Sequence, residues 1–217
     1  MPVVVLSRSL HRRNLRAREA MTELLIVFVT MSLLTVTPGP NNLLLAASGV
    51  QHGFRRSLPM LLGIVVGFPV LVLCVGLGLG PVFQAVPLIK TILKIAGSAY
   101  LLYLAWQVAT TRTLATAQAS DPIGFIKMAG FQWVNPKVWS MAVTVTSSVM
   151  VTETIDLRGA LTAALIIMAT TSIFNTAWLV AGALMRDWLN VGQRIVWFNR
   201  LMGVALAGFV VSLVLSP

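Results

Sequence analysis

The 217-residue chain has a single cysteine, Cys74, and it lies inside an apolar block. That excludes an internal disulfide and a two-cysteine redox relay. Histidine is nearly as scarce, two in all, so no transition-metal site of His and Cys is expected. Charge is also thin, 10% of residues against about 25% in a soluble domain. Six residues are acidic. Glu19 precedes the first apolar block, and Glu23, Asp121, Glu153, Asp156 and Asp187 fall at block ends or in connections. A buried carboxylate relay and a carboxylate metal site are therefore disfavoured. No nucleophile–base pair can be read either, so an enzyme is not expected. Neither cofactor nor metal is expected.

What the chain does have is apolar length. Hydrophobic residues make up 57% and fall in blocks of about 20, the length a helix needs to cross a hydrocarbon core of about 30 Å. The expected fold is all-α integral membrane, with six transmembrane helices over 23–49, 58–81, 88–110, 127–149, 159–185 and 198–216. The formal charge of +10 would suggest nucleic acid in a soluble protein. Here Arg and Lys sit at the ends of apolar blocks, where they meet lipid headgroups, and no basic face alternates with aromatics. The lipid bilayer is the expected partner, nucleic acid is not, and a second copy of the chain is a candidate. Trp106, Trp133, Trp188 and Trp197 lie near predicted helix ends as interfacial anchors. Trp139 and Trp178 fall deeper, where they can pack between helices.

Residues 1–20 differ from the rest. They carry Arg8, Arg12, Arg13, Arg16 and Arg18, and then Met21-Thr22-Glu23 opens into the first block. Three readings stand: a basic cytoplasmic arm, an Arg- and Ser-rich targeting peptide, or a mis-assigned start with translation from Met21. The remainder, 21–217, reads as one domain whose halves, about 22–118 and 125–217, are joined by the polar stretch 111–126. Three spans per half would make the halves face opposite ways, as in inverted-repeat transporters. From Met21 on, Arg55, Arg56, Arg112, Lys127, Arg186, Arg194 and Arg200 lie in one set of connections, and Lys90, Lys94 and Arg158 in the other. The excess places the first set in the cytoplasm and both termini outside; the arginines of the arm argue the reverse.

Thr37-Pro38-Gly39-Pro40-Asn41-Asn42 interrupts the first predicted span. Two prolines remove two backbone donors and block helical continuation. Carbonyls freed in hydrocarbon must find a partner in protein or water. Pro40 suits the first turn of a renewed helix, whose amides can meet a carboxylate. Asn41 and Asn42 add neutral donors and acceptors. The plainer reading is a proline kink with asparagines bonded to a neighbouring helix. In the second half, Gln132-Trp133-Val134-Asn135-Pro136-Lys137 interrupts the fourth span. Matched interruptions point to a transporter binding site, so Pro38, Gly39, Pro40, Asn41, Asn42, Asn135, Pro136 and Lys137 are the candidate substrate-binding residues. Lys137 either neutralises an anionic group or snorkels to the interface. Thr170, Thr171 and Asn175 are candidate pathway-lining residues, unless the hydroxyls bond their own helix. Gly63-x-x-x-Gly67 reads as close helix packing. His52, in Gln51-His52-Gly53-Phe54-Arg55-Arg56, reads as a solvated loop histidine.

These residues resemble the LysE/RhtB family of bacterial amino-acid exporters. The likeness runs from Thr37-Pro38-Gly39-Pro40-Asn41 through His52-Gly53-x-Arg55 and Gly63-x-x-x-Gly67. It continues with Lys94-x-x-Gly97-x-x-Tyr100-Leu101-x-Tyr103-Leu104 and Gly130-Phe131-x-x-x-Asn135-Pro136-Lys137, covering about 21–216. The resemblance implies a multi-pass inner-membrane exporter of small neutral amino acids, driven by the proton gradient. Many relatives carry an acid after the second glycine, where this chain has Phe68. That departure resembles the cysteine/O-acetylserine branch more than the homoserine/threonine branch, and it unsettles a simple transfer of proton coupling. A non-transporting scaffold, or an exporter of another small solute or ion, remains as the alternative.

Overall fold

The computed structural model describes residues 2–80, 85–114, 121–149 and 157–215, without the side chains of 2–17, 20, 87, 89 and 90. The side chains of Arg8, Arg12, Arg13, Arg16 and Lys90, and the acids Glu153 and Asp156, thus lie outside what is described. Seven α-helices and no strand occur among the described residues. They are α1 (Pro2–Val36), α2 (Pro40–Cys74, extended by a π-helical turn, Val75–Leu79), α3 (Pro87–Thr110), α4 (Phe125–Val134), α5 (Pro136–Val149), α6 (Leu157–Leu189) and α7 (Arg194–Leu215).

The stretches Pro40–Leu79, Thr91–Thr110, Leu157–Leu189 and Arg194–Leu215 are long and apolar enough to cross a bilayer, and Met21–Val36 is a shorter apolar helix. Their outer faces carry large exposed apolar side chains, among them Leu62, Val66, Val70, Leu165, Ile173, Leu201, Val204 and Val211. In water such surfaces would drive aggregation; against lipid they need no cover. The chain is a multi-pass membrane protein.

The first predicted connection differs from expectation. Residues 50–57 are not a loop: helix runs into and out of a one-residue reversal at Gly53 (φ 77°, ψ 172°). The hydroxyls of Ser48 and Ser57 lie 2.7 Å apart, whereas a continuous helix would separate them by about 13.5 Å along its axis. α2 is therefore a hairpin of two arms, 40–52 and 54–74. The Gly53 backbone angles belong to a region open essentially to glycine alone, and a Cβ there would meet the Arg186 guanidinium at 2.9 Å. Gly53→Ala should lower unfolding free energy by about 1–3 kcal/mol, measured as a loss of thermal stability in detergent.

The break in the first span lies where Pro38 and Pro40 put it: α1 ends at Val36 and α2 begins at Pro40. The fourth span is likewise divided into α4 and α5 by the extended Asn135 (φ −88°, ψ 109°), the conformation that a following proline favours. α2 packs along α6 at backbone distance. A Cβ on Gly49 would stand 2.5 Å from the Leu179 carbonyl, and one on Gly182 would overlap the Ala46 carbonyl. Gly63 and Gly67 serve packing, lying against Phe125, Met128 and Ala129 of α4. Two buried apolar clusters flank the breaks. One is centred on Leu44, Met60, Leu101, Met128 and Phe131, the other on Met31, Phe68, Leu71, Val138 and Ile167.

Candidate functional site at two helix breaks

A helix that stops in hydrocarbon leaves its last four carbonyls unpaired, each costing several kcal/mol if left so. At the end of α1 every one has a donor. Leu33 O accepts the Thr37 amide at 3.2 Å, and Leu34 O the Thr37 hydroxyl at 2.7 Å. Thr35 O accepts the Asn42 side-chain amide at 2.7 Å, and Val36 O the Trp178 indole at 3.2 Å. Beyond the helix, Thr37 O takes a second bond from Asn42 at 2.8 Å. The Lys137 ammonium donates to Thr37 O and Thr37 Oγ1 at 3.0 Å and to Pro38 O at 3.4 Å. Lys137 thus neither snorkels away nor pairs with a carboxylate among the described residues. It ties the second break to the first.

The side-chain amides complete the tie. Asn41 donates to Gln132 Oε1 at 2.8 Å, and Asn135 donates to Asn41 Oδ1 at 3.3 Å. Gln132, fully buried, also donates to Met128 O at 2.9 Å. Asn135 Oδ1 accepts the Lys137 backbone amide at 3.2 Å. The indole of Trp139 reaches back across the break to Trp133 O at 2.7 Å.

These groups surround one small cavity, lined by Leu34, Thr35, Gly39, Pro40, Asn41, Asn42, Phe68, Asn135, Lys137, Val138, Met141, Thr171 and Asn175. It measures about 20 Å³, room for a single water and far too little for an amino acid. In this conformation the polar centre has no room for the substrate. The first turns of α2 and α5 begin beside the cavity, each with proline in the first turn, and such ends carry partial positive charge. With the Lys137 ammonium they make the cavity attractive to an anion such as a carboxylate. The asparagine oxygens, two of which already accept hydrogen bonds, supply partners for an ammonium.

Of the residues singled out from sequence, Gly39, Pro40, Asn41, Asn42, Asn135, Lys137, Thr171 and Asn175 line this cavity. Pro38 contributes its carbonyl to Lys137, and Pro136 opens α5; neither lines the cavity. Thr170 does not line it; its hydroxyl bonds the Ile167 carbonyl at 3.1 Å. Gln132 and Phe68, absent from the sequence-based set, take part. A glutamine inside the apolar run of α4 was the available signal for the first. His52 is not the solvated loop residue expected: it is 9% exposed, and its Nδ1 has no hydrogen-bond partner. A buried polar group left so costs about 1–3 kcal/mol.

Comparison with known proteins identifies the family. The family model of the LysE type translocator matches residues 32–216. A cysteine/O-acetylserine efflux protein of Klebsiella pneumoniae is 35% identical over 180 residues, 80% of this chain and 90% of the relative. The protein of the same name from Escherichia coli O1:K1 is 34% identical over 165 residues, 75% of this chain and 84% of the relative. One from Salmonella typhimurium is 33% identical over the same length, with the same coverage. No solved structure matches. With nearly its whole length matched, from the first helix break to the last helix, this chain belongs to the LysE-type translocators and is a transporter rather than an enzyme.

Proposed function

We propose that the chain exports cysteine, O-acetylserine or closely similar small neutral amino acids across the bacterial inner membrane, using the cavity at the helix breaks as its central substrate site. The observation that carries this reading is the Asn41–Gln132–Asn135–Lys137 assembly. It joins two broken helices around polar groups suited to a zwitterion, with one cation and no buried acid among the described residues. The substrate carboxylate would meet Lys137 and the first turns of α2 and α5; the asparagine oxygens would orient its ammonium. Relatives matched over 84–90% of their own length are named for efflux of cysteine and O-acetylserine, which supports that substrate class.

In this reading the chain makes six crossings. α1 with the first arm of α2 forms one, the second arm of α2 another, and α3 the third. α4 with α5, α6, and α7 form the second half, inverted with respect to the first. The paired breaks, each in the first crossing of its half, support the repeat. The connections rich in arginine would lie in the cytoplasm, with the Gly53 turn among them. Because the cavity is too small for an amino acid, export requires the two halves to move against each other, widening it and exposing it to each side in turn.

The test is release of preloaded O-acetylserine and cysteine from cells expressing the chain. Asn41→Ala removes the partner of buried Gln132, a loss of about 1–3 kcal/mol. It should slow efflux about tenfold or more, at an unchanged level in the membrane. Loss of insertion together with efflux would assign Asn41 to folding instead, and no efflux from the unaltered chain would reject the substrate class.

A further inference from the structure

A second and larger cavity lies beside the Gly53 turn, away from the helix breaks. It measures about 250 Å³, against about 20 Å³ at the breaks, enough for a small organic solute rather than one water. Four segments wall it: the first arm of α2 with Ser48, Gln51 and His52, its second arm with Met60, the end of α3 with Gln107 and Thr111, and the connection before α4 with Asp121. The walls are braced. Gln51 donates to Asn199 of α7 at 3.2 Å, and Asn199 donates to Thr111 O at 2.8 Å.

Three features show that this space is chemically prepared. His52 is more than nine-tenths buried, lines the cavity and keeps an unpartnered Nδ1. Charges of both signs stand at the mouth, where Arg56 pairs with Asp121 at 3.5 Å. The Arg186 guanidinium also sits against the turn, 2.9 Å from where a Gly53 Cβ would be. Finally, Asn41, Leu44, Ser48 and Gln51 follow one another at the spacing of a single helix face. Asn41 lines the central cavity, while Leu44, Ser48 and Gln51 line the larger one. Along this face Leu44, buried with Met60 and Leu104, stands between Asn41 and Ser48.

We infer that the cavity beside Gly53 is a loading site, where a zwitterionic small amino acid binds before it reaches the helix breaks. The inference rests on the export reading above. The carboxylate is held by the edge of the His52 ring that lines the cavity and by the arginine side of the mouth. The ammonium is held by Asp121, and Ser48, Gln107 and Thr111 offer hydrogen bonds to a polar side chain. Movement of Leu44 and Met60 then admits the solute to the central cavity.

The test uses the full chain with Cys74→Ala and Thr110→Cys, a cavity-lining position whose hydroxyl bonds only its own helix, so that its one thiol reports on the loading site. A membrane-impermeant thiol reagent is applied from the face bearing the Gly53 turn, with and without O-acetylserine. Labelling should slow several-fold with the amino acid. The same protection should persist when Asn41→Ala stops export. His52→Leu should abolish protection and raise the half-saturating concentration for export several-fold. His52→Gln, which keeps a donor, should fall between. A chain that exports O-acetylserine but whose labelling rate ignores it overturns the loading site and leaves the export reading standing. A chain that neither exports nor is protected removes both. Protection that survives His52→Leu unchanged, in protein inserted at the normal level, also overturns the assignment.

Discussion

Lys137→Met should reduce export of O-acetylserine by roughly ten- to a hundredfold while leaving the protein in the membrane at its normal level. Methionine keeps the length and apolar stem of lysine and removes the ammonium alone. In the proposed site, what is lost is a charge-assisted interaction with the substrate carboxylate, worth about 1.5–3 kcal/mol, and each 1.4 kcal/mol is tenfold in an equilibrium constant. Stability should change little. Thr37 O keeps its bond from Asn42, Thr37 Oγ1 keeps its own acceptor, Leu34 O, and what Pro38 O loses is a long bond of 3.4 Å. A lysine at mid-span also costs about 2.5–3.5 kcal/mol to insert, a penalty the variant escapes. Lys137→Arg should not restore export. A Cβ on Gly39 would stand 2.8 Å from Lys137 Nζ and 3.0 Å from its Cδ, so the ammonium is threaded past a backbone that leaves no room for a planar guanidinium. The check is initial efflux rate at equal membrane abundance for all three proteins.

The second large effect concerns folding. Gly182→Val should destabilise the protein by about 3 kcal/mol or more, seen as a collapse of thermal stability or of yield in detergent. In an exposed helix interior, replacing glycine by alanine gains up to about 1 kcal/mol of helix propensity, so the sign depends on what the new side chain meets. At Gly182 it meets the Ala46 carbonyl, with Ala46 Cα 2.9 Å away. Backbone cannot rotate aside as a side chain can, so α6 must withdraw from α2, and with it Asn175 and Trp178 from the first break. Overpacking of this kind exceeds the propensity term. Gly208 on α7, where a Cβ meets nothing within 4 Å, is the matched control. Gly208→Ala should hold or slightly raise stability. Equal losses at both positions would mean that helix flexibility, rather than the α2–α6 contact, governs.

The contrast between these two predictions follows what could be read from residues alone. Pro38, Pro40 and Pro136 announce both breaks, because proline removes a donor and constrains its predecessor wherever it stands. The apolar blocks likewise announce the helices. Which partners satisfy the freed groups is tertiary information. Nothing local to Trp178 says that its indole caps Val36, and nothing local to Gln132 says that it meets Asn41. A turn between residues 50 and 57 was legible, but its tightness was not, because Gln51, His52 and the two arginines have the polarity of a loop. In fact one glycine at positive φ turns the chain, and helix on both sides buries His52. The contact of Gly49 with Leu179 and of Gly182 with Ala46 was hidden for another reason. Among sixteen glycines, sequence alone does not tell a packing position from a lipid-facing one.

The most direct measurement is counterflow in proteoliposomes reconstituted with the purified chain. Vesicles loaded with unlabelled O-acetylserine should take up the labelled compound faster than empty-bilayer controls, saturably, with Asn41→Ala and Lys137→Met both reduced tenfold or more. Uptake no faster than in protein-free vesicles, for O-acetylserine, cysteine and other small neutral amino acids alike, would contradict the export reading. Wild-type rates in the two variants would move the pathway away from the paired helix breaks.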